Sequence, residues 1–151
     1  MIAMEIEAAK LEDANNVRAC VRSAYRHYVE RMGKEPGPTL DDYTARIRDD
    51  HVWVVRQGGE IAGALVIIAT ADRCLLDNVA VSPGYSGMGI GKLLVGFAEQ
   101  WARANDYPEI VLYTHEVMTE NLDMYQAWGY EVFDRLSEKG FERIYMRKSV
   151  A

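Results

Sequence analysis

The chain has very little cysteine, and neither copy is placed for redox or metal chemistry. Only two cysteines occur among 151 residues, Cys20 and Cys74, and they lie far apart in the sequence. Neither belongs to a Cys-x-x-Cys pair or has a histidine neighbour, which are the patterns typical of zinc sites and redox motifs. We therefore predict that both are small core residues and that the protein holds no metal.

Positive charge and long hydrophobic runs are scarce as well. Lysine and arginine number 17 against 23 aspartates and glutamates, which gives a net charge of −6. This balance argues against nucleic acid and anionic membrane surfaces as partners. No apolar run approaches the ~20 residues that span a membrane. Residues 1–9 carry two glutamates and no basic stretch, unlike a signal peptide, so we predict a cytoplasmic protein.

The chain contains enough apolar residues for one hydrophobic core, and no linker segment divides the sequence into two domains. Hydrophobic residues make up 49% of the 151 positions. A chain of this size can bury one sizeable core, so we predict a single domain over residues 1–151.

Strand-like and helix-like segments alternate along the sequence. Apolar residues recur at helical spacing from Ala14 to Tyr28, behind Asp13 as a candidate N-cap, and again from Ile90 to Ala102. Two apolar segments flank Gln57-Gly58-Gly59-Glu60, a strong hairpin signal. The predicted strands are Met4–Ala8, Val52–Arg56, Ile61–Ala69, Cys74–Val81, Glu109–Thr114, Val132–Arg135 and Arg143–Arg147. One predicted short helix begins at Thr39 or Asp41 and ends at Ile47, and the other is Asn121–Trp128. The pattern indicates a mixed α/β fold, with about seven strands and helices on both faces of the sheet.

The most informative segment is a glycine loop between a strand and a helix. The strand that ends at Val81 is stopped by Ser82-Pro83-Gly84, and three glycines then occupy alternate positions, Gly87, Gly89 and Gly91. Glycine lets the backbone approach a ligand closely, and the first N–H groups of a helix favour negative charge. The segment therefore predicts a site for a phosphate or pyrophosphate.

Two better-known phosphate loops do not fit this spacing. A Walker A loop needs glycine at Ser86 and serine or threonine at Leu93. The dinucleotide fingerprint G-x-G-x-x-G fails from either start, because its third glycine would fall at Lys92 or Leu94. A glycine-rich turn without a ligand is the simpler alternative, but three alternating glycines lose more backbone entropy than a plain turn requires.

These residues carry a resemblance to a known family. Ser86-Gly-Met-Gly-Ile-Gly91, after Asn78-Val-Ala-Val-Ser-Pro83, resembles the acetyl-CoA loop of the GNAT-type N-acetyltransferases, usually written [Q/R]-x-x-G-x-[G/A]. Ser86 stands where the family usually has Gln or Arg. The family's later motif, Y-x-x-x-G-[FY], appears as Tyr125-Gln-Ala-Trp-Gly129-Tyr130. The resemblance covers the whole chain and is specific for the superfamily, but it says little about the substrate.

The resemblance implies a fold and a cofactor. In the family a mixed, mostly antiparallel sheet has two central strands that splay apart, and the pantetheine arm of acetyl-CoA lies along the opened edge. By position that edge is supplied here by Val79, Ala80 and Val81. The pyrophosphate would lie on the loop residues Ser86, Gly87, Met88, Gly89, Ile90, Gly91 and Lys92. No metal is implied, and the transferred acyl group need not be strictly acetyl.

Tyr125 is the candidate catalytic residue because it matches the motif tyrosine. Transfer of an acetyl group from a thioester leaves a thiolate that needs a proton. A tyrosine keeps its proton at neutral pH because its ordinary pKa is about 10, whereas a thiol has a pKa near 8.5. The alternative is that Tyr125 only packs its ring on the cofactor or the core.

The general base and one cofactor contact stay open. The position at which some family members carry a glutamate is Tyr113, so Asp77, His115, Glu116 or a water molecule remains as the base. Met118 occupies the place of the family's cofactor-binding asparagine. Asn121, one helical turn before Tyr125, either contacts the pantetheine instead or caps the helix.

The resemblance leaves the acceptor open, as a small-molecule amine or a protein N-terminus or lysine. The first helix and the loop after it would wall the acceptor pocket, with Tyr25, His27 and Tyr28 as candidates, although the place of Tyr28 on the core face of the helix favours packing over recognition. A homodimer is compatible with the family. A second class of function is a catalytically silent module that binds acetyl-CoA as a sensor, which the missing glutamate favours and the retained Tyr125 opposes.

Overall fold

The computed structural model describes residues 5–151, apart from the side chain of Leu40. Its α-helices are α1 (Ala14–Met32), α2 (Tyr43–Arg48), α3 (Ile90–Ala104) and α4 (Thr119–Ala127). Its strands are β1 (Ile6–Ala8), β2 (Val52–Gln57), β3 (Glu60–Ala69), β4 (Cys74–Val81), β5 (Glu109–His115), β6 (Glu131–Glu138) and β7 (Phe141–Ser149). Short 3₁₀ turns occupy Leu11–Asp13, Gly37–Leu40 and Pro83–Tyr85. Met4, with which the first predicted strand begins, lies outside the described residues.

All seven strands join one mixed sheet, as predicted. Their order is β1-β2-β3-β4-β5-β7-β6. The β4–β5 pair is parallel, whereas β1–β2, β2–β3, β5–β7 and β6–β7 are antiparallel. The sheet is therefore open and mostly antiparallel, with helices on both faces.

The described chain forms two compact units, which are considered separately below. The first runs up to Ile67 and includes Asn78–Ala98, so it contains β1, β2, α1, α2 and the start of α3. The second consists of Ile68–Asp77 and Glu99–Ala151, and contains β5, β6, β7 and α4. Strand β4 contributes to both. One domain over residues 1–151 stays a prediction.

In the first unit, β3 is covered on both faces. Every residue from Ile61 to Ile67 is buried, as its unbroken apolar sequence predicted. Gly63 is required within this strand because a side chain there has no room. A Cβ atom at Gly63 would lie 2.7 Å from Ile90 Cγ2, 3.1 Å from Leu94 Cδ1 and 3.3 Å from the Ala80 carbonyl oxygen. The missing side chain lets the first turn of α3 pack directly on the sheet, which fixes where the glycine loop ends.

Gly63→Ala should lower the free energy of unfolding by about 1–3 kcal/mol, the usual cost of overpacking a tight core. The matched control is Gly96→Ala in α3, where a new Cβ atom meets nothing within 4 Å. Alanine there should stabilise the protein by up to about 1 kcal/mol, because glycine is a poor helix former. Urea unfolding of both variants measures the two effects. Equal midpoints for Gly63→Ala and the wild type would contradict the proposed close approach.

The predicted side-chain cap of α1 is wrong, and one of the two alternatives for Asn121 is excluded. Asp13 precedes α1, but its side chain makes no cap bond. Its carboxylate instead accepts a hydrogen bond from the Lys10 N–H at 2.8 Å and one from Arg56 at 2.6 Å. The other correction concerns Asn121. Helix α4 begins at Thr119, so Asn121 lies within its first turn and does not cap it.

No helix in residues 5–151 is long and apolar enough to cross a membrane.

Candidate functional site

The glycine loop leaves β4 and enters α3 with a free row of N–H groups at the helix start. Gly87 and Gly89 have φ values of +82° and +80°, a conformation that side-chain-bearing residues rarely adopt. The first helical hydrogen bond of α3 joins the Leu93 N–H to the Gly89 carbonyl at 3.0 Å. By helix geometry, the N–H groups of Ile90, Gly91 and Lys92 therefore have no acceptor within α3.

The space outside this loop is open. A Cβ atom added at Gly87 or Gly89 would meet nothing within 4 Å. Every residue from Ser86 to Gly89 is exposed, and Met88 exposes 48% of its surface. These glycines are thus not explained by tight packing within the protein. An exposed loop of this shape fits an anionic group such as a pyrophosphate.

Hydrogen bonds hold the start of the loop in place. The Ser82 hydroxyl donates to the Ile61 carbonyl at 3.1 Å, and the Tyr85 hydroxyl donates to the Glu60 carboxylate at 2.8 Å. The Ser86 hydroxyl closes a local turn by donating to the Pro83 carbonyl at 2.8 Å. The loop is consequently anchored on β3, although its tip is exposed.

The end of β4 is fixed by two tyrosines that sequence analysis did not connect to it. Asn78 is buried, and its side chain accepts a hydrogen bond from the Tyr25 hydroxyl at 2.9 Å. The same amide donates to the Tyr43 hydroxyl at 3.0 Å, and Tyr43 in turn bonds the Pro38 carbonyl. The Tyr25 hydroxyl also lies 3.4 Å from the Val79 carbonyl oxygen. This network positions the backbone of Val79, Ala80 and Val81.

The network changes the role expected of the α1 aromatic residues. Tyr25 and Tyr28 are both buried, and the Tyr25 hydroxyl is used within the first unit. Their ring centroids lie 6.2 Å apart, and their burial supports a packing role. His27 is exposed and keeps its place as a candidate.

In the second unit, Tyr125 lies in α4 at the centre of an aromatic group. Only 7% of its surface is exposed. Its ring makes edge contacts with Trp128 at 5.9 Å and with Tyr130 at 5.7 Å between centroids. Gly129 ends the helix with φ +95°, and the Tyr130 N–H returns to the Tyr125 carbonyl at 3.0 Å. The motif therefore builds a rigid support for the Tyr125 ring.

Tyr130 has a structural role of its own. Its hydroxyl donates to Glu99 at 3.0 Å, and the other oxygen of Glu99 accepts from Lys148 at 3.1 Å. Burial, followed by the Glu99 carboxylate, raises the pKa of Tyr130 far above its ordinary value. Tyr130 thus remains neutral, and Glu99 of α3 connects it to Lys148 of β7 within this unit.

Asn121 is half-buried in α4, and its side-chain amide lies 3.7 Å from the Met118 sulfur. Met118 stands where the family has its cofactor-binding asparagine, and it therefore contacts Asn121, one helical turn later.

Of the three candidate bases, Asp77 has the most informative surroundings. The Tyr113 hydroxyl donates to Asp77 Oδ1 at 3.3 Å. Tyr113 occupies the position in β5 where some family members carry a glutamate. The Asp77 carboxylate of the neighbouring strand β4 therefore lies next to that position. Burial, and then the charge of Asp77, raise the pKa of Tyr113 and keep its hydroxyl protonated.

The other two candidates are less well placed. His115 accepts a hydrogen bond from the Val117 N–H on its Nδ1 atom at 3.2 Å, and its ring packs edge-on against Phe141. Glu116 is exposed, and only its backbone is fixed, through a hydrogen bond to the Glu142 carbonyl.

Neither thiol is activated. Burial raises the pKa of Cys20 and raises that of Cys74 to about 11, so both are protonated at neutral pH. Both are free and buried, as predicted for core residues. Residues 5–151 contain no group of three or more His, Cys, Asp or Glu side chains arranged to hold a metal ion.

A strand that enters a glycine loop at a helix start, together with a mostly antiparallel seven-stranded sheet, is the combination that the resemblance to the GNAT-type family predicts. Comparison with known proteins agrees. The model of the Acetyltransferase (GNAT) family matches residues 17–130. The chain belongs to this family, as its two motifs predicted.

The sequence relatives are N-acetyltransferases of moderate similarity. N-acetyltransferase family 8 member 2 of Rattus norvegicus is 28% identical over 100 residues, which cover 61% of this chain and 44% of the relative. N-acetyltransferase 8 of Mus musculus is 28% identical over 113 residues, covering 71% of this chain and 50% of the relative. The chain thus spans about half the length of the curated relatives it matches.

Solved structures share the fold over nearly the whole chain. The PaiA N-acetyltransferase from Thermoplasma acidophilum in complex with coenzyme A has a TM-score of 0.78 at 18% identity, over 98% of this chain and 99% of that one. The ribosomal-protein-S18-alanine N-acetyltransferase from Escherichia coli has a TM-score of 0.72 at 13% identity, over 99% and 95% of the two chains. At these identities the likeness concerns the fold alone.

Proposed function

We propose that this protein transfers the acetyl group of acetyl-CoA directly to a primary amine. The observation that carries the proposal is the exposed segment from Ser86 to Gly89, which leads into α3, where the N–H groups of Ile90, Gly91 and Lys92 have no acceptor within the helix. Membership of the GNAT family supports the same reaction class. Bound acetyl-CoA supplies the acetyl group as a thioester, and the steps below concern the residues of this chain.

The loop and the end of β4 bind and orient the cofactor in this proposal. The N–H groups from Gly87 to Lys92 hold the pyrophosphate, with Gly87 and Gly89 leaving room for it. Ser86 begins the loop, and its own N–H donates to the Pro83 carbonyl at 3.3 Å. The backbone of Val79, Ala80 and Val81 pairs with the pantetheine arm, and one N–H of this edge polarises the thioester carbonyl. Asn121 provides a further contact to the pantetheine.

Two proton transfers complete the reaction. Tyr125 donates its hydroxyl proton to the departing sulfur, while the rigid aromatic group around it fixes its ring. Asp77 accepts the proton that the amine loses, directly or through a water molecule. Asp77 is favoured over His115 and Glu116 because it stands two residues before Val79 in β4 and is held by Tyr113.

The test is thiol release from acetyl-CoA in the presence of a panel of primary amines. We expect thiol release that depends on the amine, with at least one amine turned over. Acetyl-CoA binding without turnover of any amine would contradict the proposed acetyl transfer and favour a catalytically silent module that binds acetyl-CoA as a sensor. A cytoplasmic location and a homodimer stay predictions, which cell fractionation and size-exclusion chromatography test.

Asp77→Asn should lower kcat/KM for the amine by about tenfold or more at neutral pH, because a general base is lost while water remains within reach. Glu116→Gln and His115→Gln are the matched comparisons, since each removes one rival base. Steady-state rates as a function of pH measure all three variants. A full rate for Asp77→Asn together with a loss in either rival would assign the base to that rival.

A further inference from the structure

A cluster of aromatic and charged side chains covers one face of the second unit. Tyr113 lies opposite Tyr145, and His115 lies opposite Arg143, in the antiparallel pairing of β5 with β7. Directly opposite residues share a face of the sheet. Leu75 pairs with Val111 in the parallel β4–β5 ladder, so alternation along the strands places Asp77 on the face of Tyr113. The Tyr113 and Tyr145 rings are 5.6 Å apart and form the floor of this cluster.

Arg143 is the basic residue at the centre of the cluster. Its guanidinium carbon lies 4.2 Å from the centre of the Tyr113 ring, and its side chain is only 15% exposed. Its ion pair with Glu138 spans 3.8 Å, which is longer than a hydrogen bond. The same Glu138 oxygen accepts the Tyr145 hydroxyl at 2.5 Å.

This arrangement leaves the guanidinium fork without a close carboxylate in the described chain. Arginine binds carboxylates most strongly through two parallel hydrogen bonds, and the Glu138 pair is too long to provide them. The Arg143 side chain is 15% exposed and stacks on Tyr113 and Phe141, so its fork can still accept a bound carboxylate as a hydrogen-bond partner. The stacking on Tyr113 orients the plane of the guanidinium before any ligand arrives.

A negative charge, that of Asp77, lies near the hydroxyl end of Tyr113. Asp77 accepts the hydrogen bond of the Tyr113 hydroxyl and Arg143 covers the Tyr113 ring, so the Tyr113 side chain separates the two charges. A ligand that spans them needs a positive or hydrogen-bond-donating group at Asp77 and a negative group at Arg143. The Tyr113 ring lies between these two groups, and Tyr145 is buried beside it.

We infer that the acceptor is a small amine that carries a carboxylate, with the amine directed to Asp77 and the carboxylate bound by Arg143. This inference rests on the proposed acetyl transfer, and it makes Arg143 the residue that determines specificity. It favours free amino acids over protein N-termini and lysine side chains, because neither of these has a carboxylate next to the reacting amine.

The experiment uses pairs of amines that differ only in the carboxylate. The probes are L-phenylalanine with L-phenylalaninamide, L-leucine with L-leucinamide, and β-alanine with β-alaninamide. For the wild type we expect at least one acid to be used with a kcat/KM about tenfold or more above that of its amide, as suits a charge-assisted hydrogen-bonded pair.

Arg143→Gln should abolish this preference mainly through KM for the acid, and should leave the amide within about threefold, because only the carboxylate loses a partner. Arg143→Lys keeps the charge but not the planar fork, and should give an intermediate preference. The matched control is Arg147→Gln, four residues further along β7, where an exposed arginine lies over Phe133. We expect it to leave both members of each pair unchanged.

A binding measurement separates this inference from the proposed reaction. N-acetyl-L-phenylalanine and its amide are titrated calorimetrically into protein saturated with coenzyme A. We expect the wild type to bind the acid about tenfold more tightly than the amide, and Arg143→Gln to bind the two equally. Equal binding in the wild type, or an equal loss of acid and amide in Arg143→Gln, would overturn the role of Arg143 even if amines are acetylated. Preferential binding of the acid without any turnover would support carboxylate binding by Arg143 and contradict the proposed transfer.

Discussion

Replacing Tyr125 with phenylalanine should lower kcat for acetyl transfer by about 10²-fold or more, the usual range for a lost general acid. The substitution removes one hydroxyl and keeps the ring that packs against Trp128 and Tyr130. KM for acetyl-CoA should stay within a few-fold, because the lost interaction develops only in the transition state. Steady-state kinetics with an amine found in the screen measures both constants.

Tyr130→Phe is the matched control for this prediction. It removes a hydroxyl from the same aromatic group, but one that donates to Glu99 and has no assigned proton to transfer. We expect a loss of about 1 kcal/mol in the free energy of unfolding and little change in kcat. An unchanged kcat in well-folded Tyr125→Phe would return Tyr125 to a packing role and leave water as the proton source.

Gly89→Asp should abolish the stabilisation of the protein by acetyl-CoA. At 100 times its dissociation constant, a ligand of the folded state adds about 2.7 kcal/mol to the free energy of unfolding. The aspartate would place a side chain and a negative charge in the open space next to the unpaired N–H groups. Thermal unfolding of the variant with and without acetyl-CoA measures the loss.

The matched control is Gly59→Asp in the turn between β2 and β3. Gly59 has φ +84°, close to the +80° of Gly89, and a Cβ atom at either glycine meets nothing within 4 Å. Both variants therefore carry the same backbone strain and the same new charge. Gly59→Asp should keep the full thermal shift with acetyl-CoA. A full shift in folded Gly89→Asp as well would mean that the loop does not bind the cofactor.

Local signals in the sequence predicted most of the fold. The Gly58-Gly59 hairpin, the helical spacing of α3 and the uninterrupted apolar β3 each depend on residues close in sequence, and each formed as predicted. The final hairpin is longer than predicted. Lys139 and Gly140 both adopt positive φ in its tight turn, and pairing extends through the polar ends of β6 and β7.

The parts of the site that were missed depend on contacts between distant segments. The glycine loop is local, so its residues were sufficient to predict it. The Asp77–Tyr113 contact requires the parallel register of β4 with β5, and the Tyr25–Asn78–Tyr43 network joins α1, α2 and β4. Asp13 had a sequence typical of a helix cap, but Arg56, 43 residues away, pairs with its carboxylate. No periodicity or spacing in one sequence encodes such pairings.

The most direct test of acetyl transfer follows the acetyl group itself. Acetyl-CoA labelled with ¹³C in the acetyl group is incubated with the protein and the best amine of the screen, and the products are analysed by mass spectrometry. We predict an N-acetylated amine that carries the label, formed in equal amount to free coenzyme A. Coenzyme A released together with labelled acetate, with no labelled amide, would contradict the account.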